Sequence, residues 1–217
     1  LDVSNMTQGY FVAQSDSADL VTRLQITAPT GVLYAYFIDP GENAVIPFTE
    51  GNGDYTVVGY QQIQGDQYAA LYSEILTVEL ENDFLPFLYP NQYVNFSPDS
   101  EASKLALSMV SEDTTDVDAL KQIYNYVVNN LTYDYDKAET VETGYLPDVD
   151  ETLSTKTGIC FDYAALTTAM LRSCDIPCKL QIGYTGDIKH AWIDVYIRSK
   201  GWVTGAVSFN GDQCRFR

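Results

Sequence analysis

The stretch T-G-I-C-F-D-Y-A-A-L-T-T-A-M-L-R, Thr157 to Arg172, decides how the second half of the chain is read. A glycine turn feeds Cys160 into the first turn of a helix. Ala164, Thr168 and Leu171 recur near a period of 3.6 and mark a face to be buried. A thiol at a helix N-terminus meets unpaired N–H groups and the positive end of the dipole. Both favour the thiolate and lower its pKa from the usual ~8.5. Free cysteine is also among the most buried residue types, so this stretch alone leaves a packing role open. Outward from it, the sequence holds one histidine, His190, in K-H-A-W-I-D-V-Y-I, an alternating run that reads as a strand. A cysteine nucleophile needs a base, and imidazole suits that task near neutrality. A Cys/His pair in this sequence can only be Cys160 with His190, although a lone structural histidine in a sheet has the same spacing.

G-I-C-F-D-Y-A, M-L-R-S-C-D-I-P and H-A-W-I-D-V-Y followed by G-W-V occur in that order. Together they resemble the core of the transglutaminase-like superfamily, papain-like cysteine enzymes in which a helix-capping Cys and a strand His open a triad. The resemblance covers roughly residues 100 to 211. It implies acyl chemistry on amide groups, by transamidation or hydrolysis, with Cys160 as nucleophile and His190 as base and with no cofactor. The alternative is a surface binding or adhesion module whose enzyme fold has lost its chemistry.

At 217 residues the chain favours two domains and can bury a core without staples. A net charge of −18 repels phosphate backbones and anionic headgroups, which argues against nucleic-acid binding. No apolar run approaches the ~20 residues of a membrane span. The four cysteines are too scattered for a disulfide framework. Cys174 and Cys178 have no second pair to complete a zinc site and read as packing residues. The start at Leu1 reads as processed or trimmed. Seventeen tyrosines with few lysines suggest an extracellular or cell-surface bacterial protein, part of a longer one, acting on a peptide or protein.

Residues 1–82 alternate as short strands between turns such as P-T-G and D-P-G-E-N, which predicts an antiparallel β-sandwich of immunoglobulin-like size. The runs are 9–14, 20–26, 32–38, 55–61, 67–72 and 75–80. Residues 83–98, rich in Pro and aromatics, read as a packed linker. Residues 99–217 read as the transglutaminase-like α+β domain. There a helix starts at Ser97 or Asp99 and runs to about Glu112, and a second is capped by Asp116. A polar loop runs from Lys137 to Lys156, and three strands follow the Cys160 helix, at 179–185, 189–197 and 202–209.

Along the histidine strand His190, Trp192, Asp194 and Tyr196 share a face. Asp194 is not the third triad member, because four residues of strand span about 13 Å while orienting an imidazole needs about 3 Å. The family carries this acid after the G-W element in a D-P-T-like context. Here the sequence runs V-T-G-A-V-S-F-N-G-D, and the reading is that the chain ends before the acid, or that Ser208 or Asn210 substitutes weakly; Asp212 sits in an apparent turn. For an oxyanion hole the Cys160 N–H is one donor. Tyr133 is the candidate for the second, with packing the simpler role. Trp192 is expected to shield the imidazole, and Asp162 to stabilise the helix start.

Overall fold

The computed structural model describes residues 1–65, 67–142, 144–185, 188–210 and 213–216. It divides into two compact units, Leu1–Pro86 and Phe87–Arg217. The boundary falls inside the segment read as a linker.

In the first unit, β1 (Tyr10–Gln14) pairs antiparallel with β4 (Asn43–Pro47). A second antiparallel sheet has the order β3-β2-β5-β6, from β2 (Thr22–Thr27), β3 (Leu33–Ile38), β5 (Gly53–Gln64) and β6 (Gln67–Val78). Alternation sends Phe11, Leu24, Ile26, Ile46, Val57 and Val78 inward, each at most 3% exposed. The Phe48 ring spans from Phe11, 5.4 Å away, to Tyr55 on β5 at 4.8 Å. Two readings change here. The runs at 67–72 and 75–80 are one strand, because Ser73 and Glu74 continue the ladder opposite Val58 and Val57 of β5, and the register shifts fall within the first run. The run N-A-V-I-P is a strand despite its proline, which pairs at the end of the two-stranded ladder with Tyr10.

The second unit is α+β. It contains α1 (Glu101–Met109), α2 (Asp116–Asn130), β7 (Thr132–Tyr133), α3 (Tyr135–Thr140), α4 (Val149–Thr155), β8 (Thr157–Gly158) and α5 (Cys160–Ser173). An antiparallel sheet of order β12-β11-β10-β9 follows, from β9 (Cys178–Thr185), β10 (Ile188–Ile197), β11 (Gly201–Asn210) and β12 (Gln213–Phe216). The helix α5 is buried on every side from Phe161 to Arg172, with α1, α2 and α4 against it and β9, β10 and β11 across from them. A helix apolar all round belongs in a core, so the single buried face expected from periodicity is too narrow. Ala191, Ile193 and Val195 on β10 complete this core.

The polar segment 137–156 is not a continuous loop. Asp134 caps α3 by accepting from the Lys137 N–H, and Asp148 caps α4 by accepting from those of Asp150 and Glu151. The strand β12 extends the sheet beyond β11. Asp116 is not the cap of α2. Thr115 holds that place, and the Asp116 carboxylate instead takes the Arg198 guanidinium at 2.6 Å and the Arg198 N–H at 2.8 Å. These bonds hold the carboxyl below its usual range. A carboxylate lowered in this way stabilises the fold above about pH 4 and loses that contribution as pH falls through its folded value. We therefore expect Asp116→Asn to cost about 1–2 kcal/mol at pH 7 in denaturant melts. The gap to wild type should close in acid; a gap of constant size would assign the loss to packing.

Candidate active site

Two short strands set the nucleophile in place. β7 and β8 pair in parallel, Thr132 with Thr157 and Tyr133 with Gly158, and the Asp134 N–H reaches the Gly158 carbonyl at 3.0 Å. The turn expected at Gly158 is thus a strand that brings Tyr133 beside the start of α5. Gly158 is there for room: a Cβ on it would lie 2.7 Å from the Asp162 Cβ. Cys160 is the first residue of α5, half-buried and unoxidised.

The Tyr133 hydroxyl lies beside the N–H and the thiol of Cys160, close enough for each group to shift the other. Its ring packs edge-on to Tyr135 at 5.0 Å and tilts toward Tyr163 at 6.3 Å. Burial, with the nearby sulfur, pushes the phenol up to about 12, so it stays a donor at neutral pH. The packing role and the polar role are therefore not alternatives for this residue. The ring is packed, and the hydroxyl sits next to the main-chain N–H of Cys160.

The N–H groups of Phe161 and Ala191 also lie near the sulfur and favour its ionised form. Ala191 lies on β10 immediately after His190, so the helix start meets the histidine strand at its main chain. His190 is half-buried and pairs in register with Gly183. Between the two described side chains, Cys160 and His190, no hydrogen bond is formed. Trp192 lies across the neighbouring strand, since a Cβ on Gly183 would come within 2.7 Å of its ring. Its indole therefore covers the residue opposite His190, the position from which it can screen the imidazole.

The resting thiol differs from expectation. Burial raises its pKa, and this outweighs the donors from Ala191, Phe161 and Tyr133; the Asp162 charge raises it further. The helix terminus does stabilise negative charge, but Asp162 has taken the Ile159 N–H at 2.8 Å.

Asp194 is structural, as the strand geometry requires. Its carboxylate accepts from the Gly205 N–H at 2.7 Å and holds the register shift between β10 and β11. Gly205 has φ +58°, a left-handed conformation that suits glycine. Ser208 pairs with Trp192 and so shares a sheet face with it. Asp212 and the side chain of Asn210 lie outside the described residues. Cys178 is fully buried and Cys174 half-buried, both at the far end of α5.

Two residues near the site were not read from the sequence, Lys137 and Tyr145. Lys137 Nζ lies 2.9 Å from Asp162 and the Tyr145 hydroxyl 2.5 Å from it. These partners are 25 and 17 positions apart in the chain, beyond any helical or strand period.

Residues 103–205 match the family model of the transglutaminase-like superfamily. This unit belongs to that superfamily. The chain is also 24% identical over 183 residues to YebA of Bacillus subtilis, an uncharacterized protein, across 74% of this chain and 25% of that one. A shorter match, 40% over 62 residues, joins it to the UPF0252 protein MJ1282 of Methanocaldococcus jannaschii, across 26% of this chain and 18% of the archaeal one. The chain thus matches a quarter or less of the length of these curated relatives. A candidate cysteine protease from Cytophaga hutchinsonii has a similar crystal structure, with a TM-score of 0.50 and 19% identity over 94% of this chain and 79% of that one. That likeness concerns the fold. The transglutaminase-like unit has no helix long and apolar enough to cross a membrane among its described residues, and neither has the first unit.

Proposed function

We propose that the protein is a cysteine enzyme acting on amide bonds of peptides or proteins, with Cys160 as nucleophile and His190 as general base. The observation that carries this reading is the environment of the Cys160 sulfur. Cys160 opens a core helix, has an aromatic hydroxyl beside its sulfur and its N–H, and lies against the strand carrying the chain's one imidazole.

In the reaction, the thiol proton passes to the imidazole as the sulfur attacks the amide carbonyl carbon. Negative charge gathers on the carbonyl oxygen, which takes the Cys160 N–H while the neighbouring Tyr133 phenol turns its proton toward it. The C–N bond breaks, the imidazolium gives its proton to the departing amine, and a thioester remains. Water then gives hydrolysis and a second amine gives transamidation. No metal or cofactor enters these steps. The acidic, tyrosine-rich and lysine-poor composition supports an extracellular or surface location within a longer protein.

The test offers glutaminyl and other amide peptides to the full chain with hydroxylamine present. Wild type should release ammonia or amine and form a hydroxamate, and Cys160→Ala should form neither. Wild-type protein that stays inert across a broad peptide library, with its thiol free, would favour the binding-module alternative.

A further inference from the structure

The start of α5 contains a buried charge that the mechanism above does not use. Asp162 has no exposed surface. Its carboxylate accepts from the Ile159 N–H at 2.8 Å, Lys137 Nζ at 2.9 Å and the Tyr145 hydroxyl at 2.5 Å. Lys137 also binds the Tyr145 hydroxyl at 2.6 Å, which closes a three-membered network. Burial pulls the ammonium down, but its bonds to Tyr145 and Asp162 outweigh this, and Lys137 is firmly charged. Burial and the bond to Asp162 push the Tyr145 phenol up to about 12, so that partner is neutral. Among the described residues Lys137 is the one cation paired with Asp162.

A bare carboxylate two residues beyond a nucleophilic thiol works against it. It takes up the field of the helix terminus and repels the thiolate, most strongly where water is excluded. Yet this helix start uses the carboxylate to satisfy Ile159. The cation that balances it comes from α3, in the segment just upstream. The other titratable group shown beside the sulfur is Tyr133 on β7; Tyr135 on α3 and Tyr163 on α5 pack on its ring, and His190 precedes Ala191 on β10. Cys214 on β12 is farther off, near Tyr163. None of them supplies a fixed positive charge.

We propose that Lys137 is a positioning residue for Cys160 that cancels the buried Asp162 charge, so the sulfur ionises beside a neutral cluster, and that fastens α3 at the mouth of the site. This rests on the reading of Cys160 as nucleophile. It is tested by thiol ionisation instead of turnover, so either idea can fail alone.

The experiment follows carbamidomethylation of Cys160 by iodoacetamide across pH in the full chain. Peptide mass mapping keeps Cys174, Cys178 and Cys214 from contributing. Lys137→Gln retains a donor but removes the charge. It should raise the pH midpoint by about one unit and slow the reaction at pH 7 about tenfold. Lys137→Arg should leave the midpoint in place. Asp162→Asn should lower it, since Lys137 is then unopposed, and the double variant K137Q/D162N should return it near wild type. An unmoved midpoint in folded Lys137→Gln overturns the proposal, as do Lys137→Gln and Asp162→Asn shifting in the same direction, the pattern of a purely structural clamp. Should Lys137→Gln fail to fold by circular dichroism, the Asp162→Asn arm decides alone: a midpoint that does not fall rejects the idea.

Discussion

On the proposed mechanism, His190→Ala should slow acyl-enzyme formation by roughly 10²- to 10⁴-fold at pH 7, with the thermal melt unchanged. The size follows from the state of the thiol. Burial raises the Cys160 pKa above that of an ordinary thiol, so the thiol form prevails at neutrality. A thiol in that state needs a base during attack, not only beforehand, and His190 is the one imidazole the sequence contains. The deficit should therefore depend on pH in a defined direction. As pH rises toward and through the thiol pKa, the sulfur ionises unaided and the variant should gain on wild type. Stopped-flow acylation with an activated ester between pH 6 and 10 measures this. A deficit that stays constant over the range would assign His190 a structural role. Activated esters keep the leaving group from limiting the rate, so the experiment reads attack alone.

How far the site was legible follows from the range of each interaction. The Cys160 helix and the His190 strand announced themselves because their periods are local, 3.6 and 2. Two elements in the segment 137–156 were passed over because they are polar and about six residues long. Helices that short carry too few apolar positions for a periodic signal. Asp148 followed by Glu151 was nonetheless a visible start signal for α4. Asp116 invites a capping role, and only a strand end 82 positions later shows that its partner is Arg198. The same holds for Lys137, whose value lies in an ion pair that no local pattern encodes. The expected fall in thiol pKa failed for a related reason. The helix terminus is readable from sequence, whereas the depth at which the sulfur sits depends on how tightly Tyr133 and β10 close over it. Asp194, by contrast, could be assigned correctly because strand rise alone sets its distance from His190.

Arg172→Met should destabilise the transglutaminase-like unit by about 3 kcal/mol, a fall in melting temperature of roughly 6–12 °C. Arg172 ends the buried run of α5 at 5% exposure and has no acidic partner among the described residues. Its fork donates twice to the Cys178 carbonyl, at 3.1 and 2.7 Å, and once to that of Tyr89 at 2.7 Å. Burial pulls the guanidinium down to about 10, so it is still charged at pH 7, while the neighbouring Cys178 thiol is pushed up to about 12 and stays neutral. Two opposed effects decide the outcome. Methionine removes a buried cation whose desolvation is costly, and it takes away the two bonds to the buried Cys178 carbonyl, at about 1–3 kcal/mol for that group, and the one to the part-buried Tyr89 carbonyl. The second wins if the Cys178 carbonyl remains dry, as the full burial of Cys178 implies. Arg172→Lys keeps the charge but loses the planar fork, and should fall between the two proteins. A methionine variant as stable as wild type would show that desolvation had outweighed the three bonds. Cys160 and Arg172 stand at opposite ends of α5, roughly 18 Å apart along its axis. Activity per folded molecule should therefore survive both substitutions, which separates what holds this helix in the core from what its first residue does.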